Sequence, residues 1–210
     1  MTLQYSCFVS YSHGQGDLMR MFIEQLATAL ESSIGPYLDQ KVYVDDKRLM
    51  PGYNFDEALF KAICQSICMV VVYSPKYEDH VYCLREYTAM VRIEMKRKEI
   101  LGNKASNEVG MIIPIVLRGL QEGLPDKIRK QRHYVDFSKS STASMNMKRN
   151  SKYVKQIDWI AQIIFWHHQN IRDLGEDALD ICDGLRPPSP EEIEPWRVGP
   201  RKLALPFPGR

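Results

Sequence analysis

The chain carries one uninterrupted apolar run, Ile67-Cys68-Met69-Val70-Val71-Val72-Tyr73. A continuous run of this kind is typical of a strand covered on both faces, as in a parallel sheet. Ser74-Pro75 ends the run, because proline and its neighbours punctuate regular structure. A helix is predicted to follow over about residues 79–99, and it contains the motif Tyr82-Cys83-Leu84-Arg85-Glu86.

Similar strand and helix patterns alternate along the rest of the chain. Further strands are predicted over residues 5–11, 42–44, 111–117 and 133–137. Helices are predicted over residues 17–35, from about residue 54, over residues 124–131 and in a final segment with Tyr153 and Ile157 on its apolar face. This alternation predicts an α/β fold with a flavodoxin-like five-stranded parallel sheet and helices on both faces. Pro114 lacks an N–H group and therefore predicts a strand end or a bulge.

The overall composition disfavours several classes of function. Lys plus Arg number 28 against 26 Asp plus Glu, so no strong positive field favours nucleic acid. The five cysteines are an odd number without a CxxC pair, and this predicts reduced thiols rather than a disulfide framework or a metal site. The first residues do not resemble a signal peptide, and the longest apolar run is too short to cross a membrane. A cytoplasmic location and no membrane contact are therefore predicted.

The sequence pattern alone allows two interpretations of Glu86. The spacing of Leu84, Thr88, Val91 and Met95 predicts the core-facing stripe of this helix. Glu86 then lies about 200° around the helix from Leu84 and points away from the packed side. Such a carboxylate is either a solvated surface charge or part of a site at the edge of the sheet.

The predicted strands bring several polar residues to one edge. Tyr11, Asp45 and Ser74 each stand at the carboxyl end of a strand, where ligands bind in parallel α/β sheets. Asp45 has two open roles, since it can bind a ribose or cap its own loop.

The segment after residue 170 has a different composition. Seven of the twelve prolines fall between Pro187 and Pro208, which excludes a long helix or a central strand. We predict a domain over residues 1–170 and a proline-rich extension over residues 171–210. The extension is either a strap over the domain or a linker.

Three short motifs occur in order along this pattern. They are Phe8-Val9-Ser10-Tyr11-Ser12, then Val44-Asp45 with Leu49-x-Pro51-Gly52, then Ser74-Pro75 with Tyr82-Cys83-x-x-Glu86. Together they resemble a TIR (Toll/interleukin-1 receptor) domain of the bacterial kind over about residues 3–170. The last motif of that family usually begins with tryptophan, and tyrosine stands there in this chain.

The resemblance implies an enzyme that cleaves the nicotinamide–ribose bond of NAD+, with Glu86 as the catalytic residue. NAD+ is then the substrate, and no cofactor or metal is needed. The products implied are nicotinamide and ADP-ribose or a cyclic ADP-ribose signal, which a downstream effector could sense in antiphage defence. The implied substrate-binding residues are Ser10, Tyr11, Asp45, Phe55, Ser74, Tyr82 and Cys83.

Assembly is a further implication of the resemblance. Such enzymes become active when TIR domains self-associate, and the implied assembly loop contains Arg48, Pro51 and Gly52. Two other functions stay open. One is a non-catalytic adaptor that acts through TIR–TIR contact. The other is a different flavodoxin-like enzyme with a glutamate nucleophile, such as a nucleoside deoxyribosyltransferase.

Overall fold

The computed structural model describes residues 3–13, 17–45, 55–102, 109–119, 123–138, 150–173, 182, 185–194 and 196, and of residues 55 and 56 it describes the backbone alone. Five strands and five α-helices alternate along these residues. The strands are β1 (Tyr5–Tyr11), β2 (Lys41–Val44), β3 (Ser66–Tyr73), β4 (Ile112–Val116) and β5 (Val135–Asp136). The helices are α1 (Asp17–Ile34), α2 (Phe55–Cys64), α3 (Val81–Leu101), α4 (Asp126–Arg129) and α5 (Ser151–Arg172). Short 3-10 turns cover Pro75–Asp79 and Pro190–Glu192.

The strands form one parallel sheet in the order β2-β1-β3-β4-β5. The chain runs from the central part of the sheet at β1 to the edge strand β2, and then returns past β1 to β3 on its other side. Because both crossovers are right-handed, they place α1 and α2 on opposite faces of the sheet. Accordingly α1 packs with α5, and α2 packs with α3. The predicted five-stranded α/β fold is thereby confirmed. β3 lies at the centre and is buried along its whole length, as its continuous apolar run predicts.

The buried face of α3 differs from the predicted one. Met95 was expected to face the core, but its side chain is 58% exposed. Glu86 was expected to point away from the packed side, but it is buried. The reason is that charged side chains occupy the buried stripe and break its apolar period. The buried residues of α3 are Cys83, Leu84, Glu86, Tyr87, Ala89, Met90, Ile93, Glu94, Arg97 and Leu101.

Pro114 lies inside β4 rather than at its end, and β3 pairs with β4 there without a register shift. The prediction of a strand end or bulge was therefore wrong. The Met111 carbonyl accepts a hydrogen bond from the Met69 N–H of β3. The Val116 carbonyl accepts one from the N–H of Phe137, the residue after β5. Backbone groups alternate in direction along a strand, so Pro114 faces the β5 side. β5 begins pairing only at Ile115, and the missing N–H breaks no sheet hydrogen bond.

The cysteine prediction needs a correction. Cys64 and Cys182 form a disulfide across 118 residues of sequence, with their Cα atoms 5.9 Å apart. Cys7, Cys68 and Cys83 are free, as predicted, and all three are buried. Burial raises the pKa of Cys7 to about 12, which keeps its thiol protonated. The disulfide escaped prediction because only the return of the C-terminal tail to α2 brings its two halves together.

Candidate active site around Glu86

Glu86 lies in the second turn of α3, and its side chain is only 3% exposed. The Ser10 hydroxyl of β1 donates a hydrogen bond of 2.6 Å to Glu86 Oε2. Ser10 stands one residue before the carboxyl end of β1. The short Pro75–Asp79 turn between β3 and α3 brings the start of α3 back over that end of the sheet. The carboxylate is therefore held at the sheet edge where parallel α/β folds bind ligands.

Tyr77 forms a second layer behind this contact. Its hydroxyl lies 2.7 Å from Ser10 Oγ and 3.1 Å from the Cys83 carbonyl, and because the Ser10 proton goes to Glu86, the single Tyr77 proton is shared between these two acceptors. Tyr77 is fully buried, and burial raises the pKa of its hydroxyl well above the usual value. The hydroxyl therefore stays protonated and available as a donor. The sequence prediction missed Tyr77, and its only signal was an aromatic residue within the polar Pro75–Asp79 turn.

Tyr11 and Cys83 join β1 to α3 rather than lining an open surface. Cys83 is buried, and its thiol donates to the Tyr11 carbonyl at 3.4 Å. The Tyr11 ring stacks on His13 with ring centroids 4.2 Å apart. These contacts fix the start of α3 against the end of β1, and they fix the position of Glu86 with it.

A small pocket is lined in part by Glu86. Tyr82 is half exposed at its rim, and the Arg85 guanidinium carbon lies 6.0 Å from the Tyr82 ring centre. The cavity volume is about 20 Å³, which is room for one water molecule. The pocket is lined by Leu59, Phe60, Ile63, Tyr82, Arg85, Glu86, Ala89, Pro187 and Pro188.

The other predicted site residues lie elsewhere or outside the described residues. Ser74 follows β3 and is buried, with its hydroxyl 3.4 Å from Ser12 Oγ, and Asp45 follows β2 and is buried too. Both share the sheet edge with Ser10, but neither lines the Glu86 pocket. Phe55 opens α2, and its side chain is outside the described part. The predicted assembly residues Arg48, Pro51 and Gly52 also lie outside the described residues.

A larger cavity of about 360 Å³ lies at the opposite end of the sheet, beside the start of β4. Its inner wall is a buried ion pair in which Arg132 donates to Glu94 at 3.1 Å and 2.5 Å. The Met111 N–H also donates to Glu94 at 2.8 Å. Burial raises the pKa of Glu94, but the hydrogen bond and charge of Arg132 outweigh it and hold that pKa below its usual value. The hydrogen bonds of this ion pair are made within the protein, so we interpret it as a structural contact rather than a binding site.

Two other features are absent from the part of the chain that the structure describes. No three His, Cys, Asp or Glu side chains there are grouped closely enough to hold a metal ion. None of the helices described is both long and apolar enough to span a bilayer.

The known proteins to which this chain is similar contain TIR domains. The family model for the TIR domain matches residues 7–149. One similar solved structure is the TIR domain of the Toll-related receptor TRR-2 from Hydra magnipapillata. It is 19% identical, with a TM-score of 0.47, and the match covers 82% of this chain and 99% of that one. Another is the TIR domains of the activated Roq1 resistosome that recognises the pathogen effector XopQ. It is 22% identical, with a TM-score of 0.41, and the match covers 76% of this chain and 84% of that one.

No curated protein matches the chain. The family model nevertheless spans more than half of its length, and the sheet order and helix placement are those of the fold predicted from the sequence. The chain therefore belongs to the TIR domain family.

Proposed function

We propose that this TIR domain protein cleaves the bond between nicotinamide and ribose in NAD+, with Glu86 as the catalytic carboxylate. The observation that carries the proposal is the Glu86 carboxylate itself. It is buried at the carboxyl edge of the sheet and hydrogen-bonded by Ser10, and Glu86 lines a pocket together with the half-exposed ring of Tyr82. Charged side chains are almost never buried without a specific partner, which argues against a solvated surface glutamate.

The chemistry needs one negative charge and no metal. When the bond between C1′ and the pyridinium nitrogen breaks, its electron pair moves to that nitrogen, and nicotinamide leaves neutral. The ribose acquires oxocarbenium character, and a carboxylate beside it stabilises the developing positive charge. A water then adds its oxygen to C1′ and loses a proton, which gives ADP-ribose. Attack by an atom of the adenine ring instead would give a cyclic product.

Tyr82 is the residue best placed to hold the substrate against Glu86. Its ring is half exposed at the rim of the pocket, one turn of α3 before the carboxylate. An aromatic ring there can pack on the nicotinamide or the ribose, and the neighbouring Arg85 can attract a phosphate. Ser10 and Tyr77 act behind the carboxylate as positioning residues, because their hydroxyls contact Glu86 or each other.

Nicotinamide release from NAD+ tests the proposal. The full chain is incubated with NAD+ at high concentration, with and without a crowding agent that drives self-association, and the products are separated by chromatography. Loss of one electrostatic group at a reacting centre lowers kcat by about 10²–10³-fold, so we expect that loss for Glu86→Gln. Glu99→Gln is the matched control, because Glu99 lies on the same helix and is exposed. Equal turnover by the Glu86 variant and the wild type removes Glu86 from the mechanism.

A non-catalytic adaptor is the second candidate, and the narrow pocket favours it. A cavity of about 20 Å³ does not admit a dinucleotide as it stands. In that case the chain acts through TIR–TIR self-association, and the loop containing Pro51 is the proposed contact. The absence of nicotinamide release under every assembled condition, together with loss of self-association in a Pro51→Ala variant by light scattering, supports the adaptor.

A further inference from the structure

The C-terminal tail returns to the domain and crosses the face formed by α2 and α3. We call its described residues, 182, 185–194 and 196, the C-terminal strap. The strap begins at the disulfide on the last residue of α2. It ends at Trp196, whose ring lies 5.3 Å from the Tyr77 ring and 4.7 Å from the Tyr87 ring, measured between centres. Its path therefore leads from one wall of the Glu86 pocket to the tyrosine behind Ser10.

The middle of the strap closes the Glu86 pocket. Pro187 and Pro188 line the pocket together with Glu86, and the Arg85 Nε donates to the Pro188 carbonyl at 2.9 Å. The Arg85 side chain is thus bound to the strap. The two prolines are the pocket-lining residues that come from outside α2 and α3. The volume left beside Glu86 fits one water and no substrate.

Contacts on either side hold the two prolines in place. Toward the C-terminus, Glu192 pairs with Arg92 of α3 at 3.2 Å, and Trp196 is buried. Toward the N-terminus, the strap is covalently joined to Cys64, which directly follows the pocket residue Ile63. The disulfide is the covalent contact among these, and a dithiol reductant breaks it by thiol–disulfide exchange.

We propose that the C-terminal strap is an autoinhibitory cover of the Glu86 pocket and that the Cys64–Cys182 disulfide controls it. The regulatory consequence rests on the NAD+ cleavage proposed above, whereas the covering of Glu86 does not. A dithiol reductant passes two electrons and two protons to the disulfide. Two protein thiols form, and the reductant becomes a disulfide. The strap then stays tethered through the chain that follows α5, and the pocket opens more often.

The tether length sets the size of the effect. With the disulfide formed, Pro187 is five residues along the chain from a covalent link to α2 at Cys182, and without it the covalent path back to the domain runs fifteen residues, to Arg172 at the end of α5. Effective concentration falls roughly as the −3/2 power of tether length, so a threefold longer tether lowers it about fivefold. Activity that requires the open state scales with the open fraction. Reduction is therefore expected to raise access to Glu86 by about the same factor.

Carbodiimide labelling of carboxylates by glycine ethyl ester, mapped by mass spectrometry, measures access to Glu86 without any assumption about catalysis. Oxidised full chain is compared with chain reduced by dithiothreitol, and thiol titration of denatured, reductant-free samples confirms three free thiols before reduction and five after it. Glu94 is the internal control, because it is equally buried but lies at the other end of the sheet. We expect reduction to raise Glu86 labelling about fivefold and to leave Glu94 labelling unchanged.

Two variants extend the experiment. Cys182→Ser should show the higher Glu86 labelling without reductant and no further change when reductant is added. Trp196→Ala should raise Glu86 labelling even with the disulfide formed, because the second anchor is lost. Glu86 labelling that changes less than twofold on reduction and in Cys182→Ser overturns the proposal. Nicotinamide release is measured on the same samples. If Glu86 labelling rises while no sample cleaves NAD+, the strap is supported as a cover of the pocket and the proposed NAD+ cleavage is wrong.

Discussion

Replacing Ser10 by alanine separates a positioning role from substrate binding. The structure gives Ser10 one hydrogen bond to Glu86, at 2.6 Å, and leaves the residue out of the pocket lining. A hydrogen bond to a charged group contributes about 1.5–3 kcal/mol. Each increase of about 1.4 kcal/mol in the activation free energy lowers the rate tenfold. If the lost hydrogen bond raises that barrier by its full energy, kcat for NAD+ cleavage should fall by roughly 10- to 100-fold. The KM should stay within about twofold, because Ser10 does not line the pocket.

The assay is steady-state nicotinamide release by reduced full chain, with kcat and KM measured separately. Ser6→Ala is the matched control, because Ser6 is an equally buried serine of β1 near the opposite end of the strand. Thermal unfolding of both variants shows whether a change in kcat reflects lost stability. A Ser10→Ala enzyme with unchanged kcat and a raised KM would refute the positioning role and restore the substrate-binding role predicted from the sequence.

Three further predictions concern stability, each measured by urea denaturation of the oxidised chain. Arg132→Met leaves the buried Glu94 carboxylate without its main cation and should lower the free energy of unfolding by about 3–5 kcal/mol. An unchanged urea midpoint would contradict this. Burial lowers the pKa of His167 to about 4, so between pH 6.5 and pH 4 the unfolded chain binds a proton that the folded state does not. Stability should fall by about 3 kcal/mol over that window, and by clearly less in His167→Gln. Gly110→Ala should cost about 1–3 kcal/mol, because its Cβ would lie 2.3 Å from Arg132 Nη1 and 2.7 Å from Glu94 Oε1. Gly123→Ala is the control with open space around the new Cβ, and an equal loss there would contradict the steric explanation.

The fold could be predicted because its signals are local. The β3 run is apolar at almost every position, and the strands β1, β2 and β4 were placed within about two residues of their observed ends. Period and composition identify such elements without knowledge of their neighbours. The short β5 was predicted too long, because only two of its residues pair with β4.

The orientation of α3 could not be read from its pattern, because its buried face carries charged residues. Glu86 meets Ser10 across 76 residues of sequence, and Glu94 meets Arg132 across 38. The Arg97 guanidinium donates to backbone carbonyls at the start of β3. A charged residue is buried only where such distant partners satisfy it, and no local period records those partners.

Local residue types therefore sufficed for the order of strands and helices along the chain and for the α/β class of the fold, whereas a site at Glu86 stays a prediction that came from the family resemblance. The contacts among Glu86, Ser10 and Tyr77, the disulfide to Cys182 and the strap over the pocket all depend on folding. Side-chain period and turn chemistry act within a few residues along the chain. Hydrogen bonds, disulfides and cavities join residues that only the packed sheet and helices bring within a few ångströms.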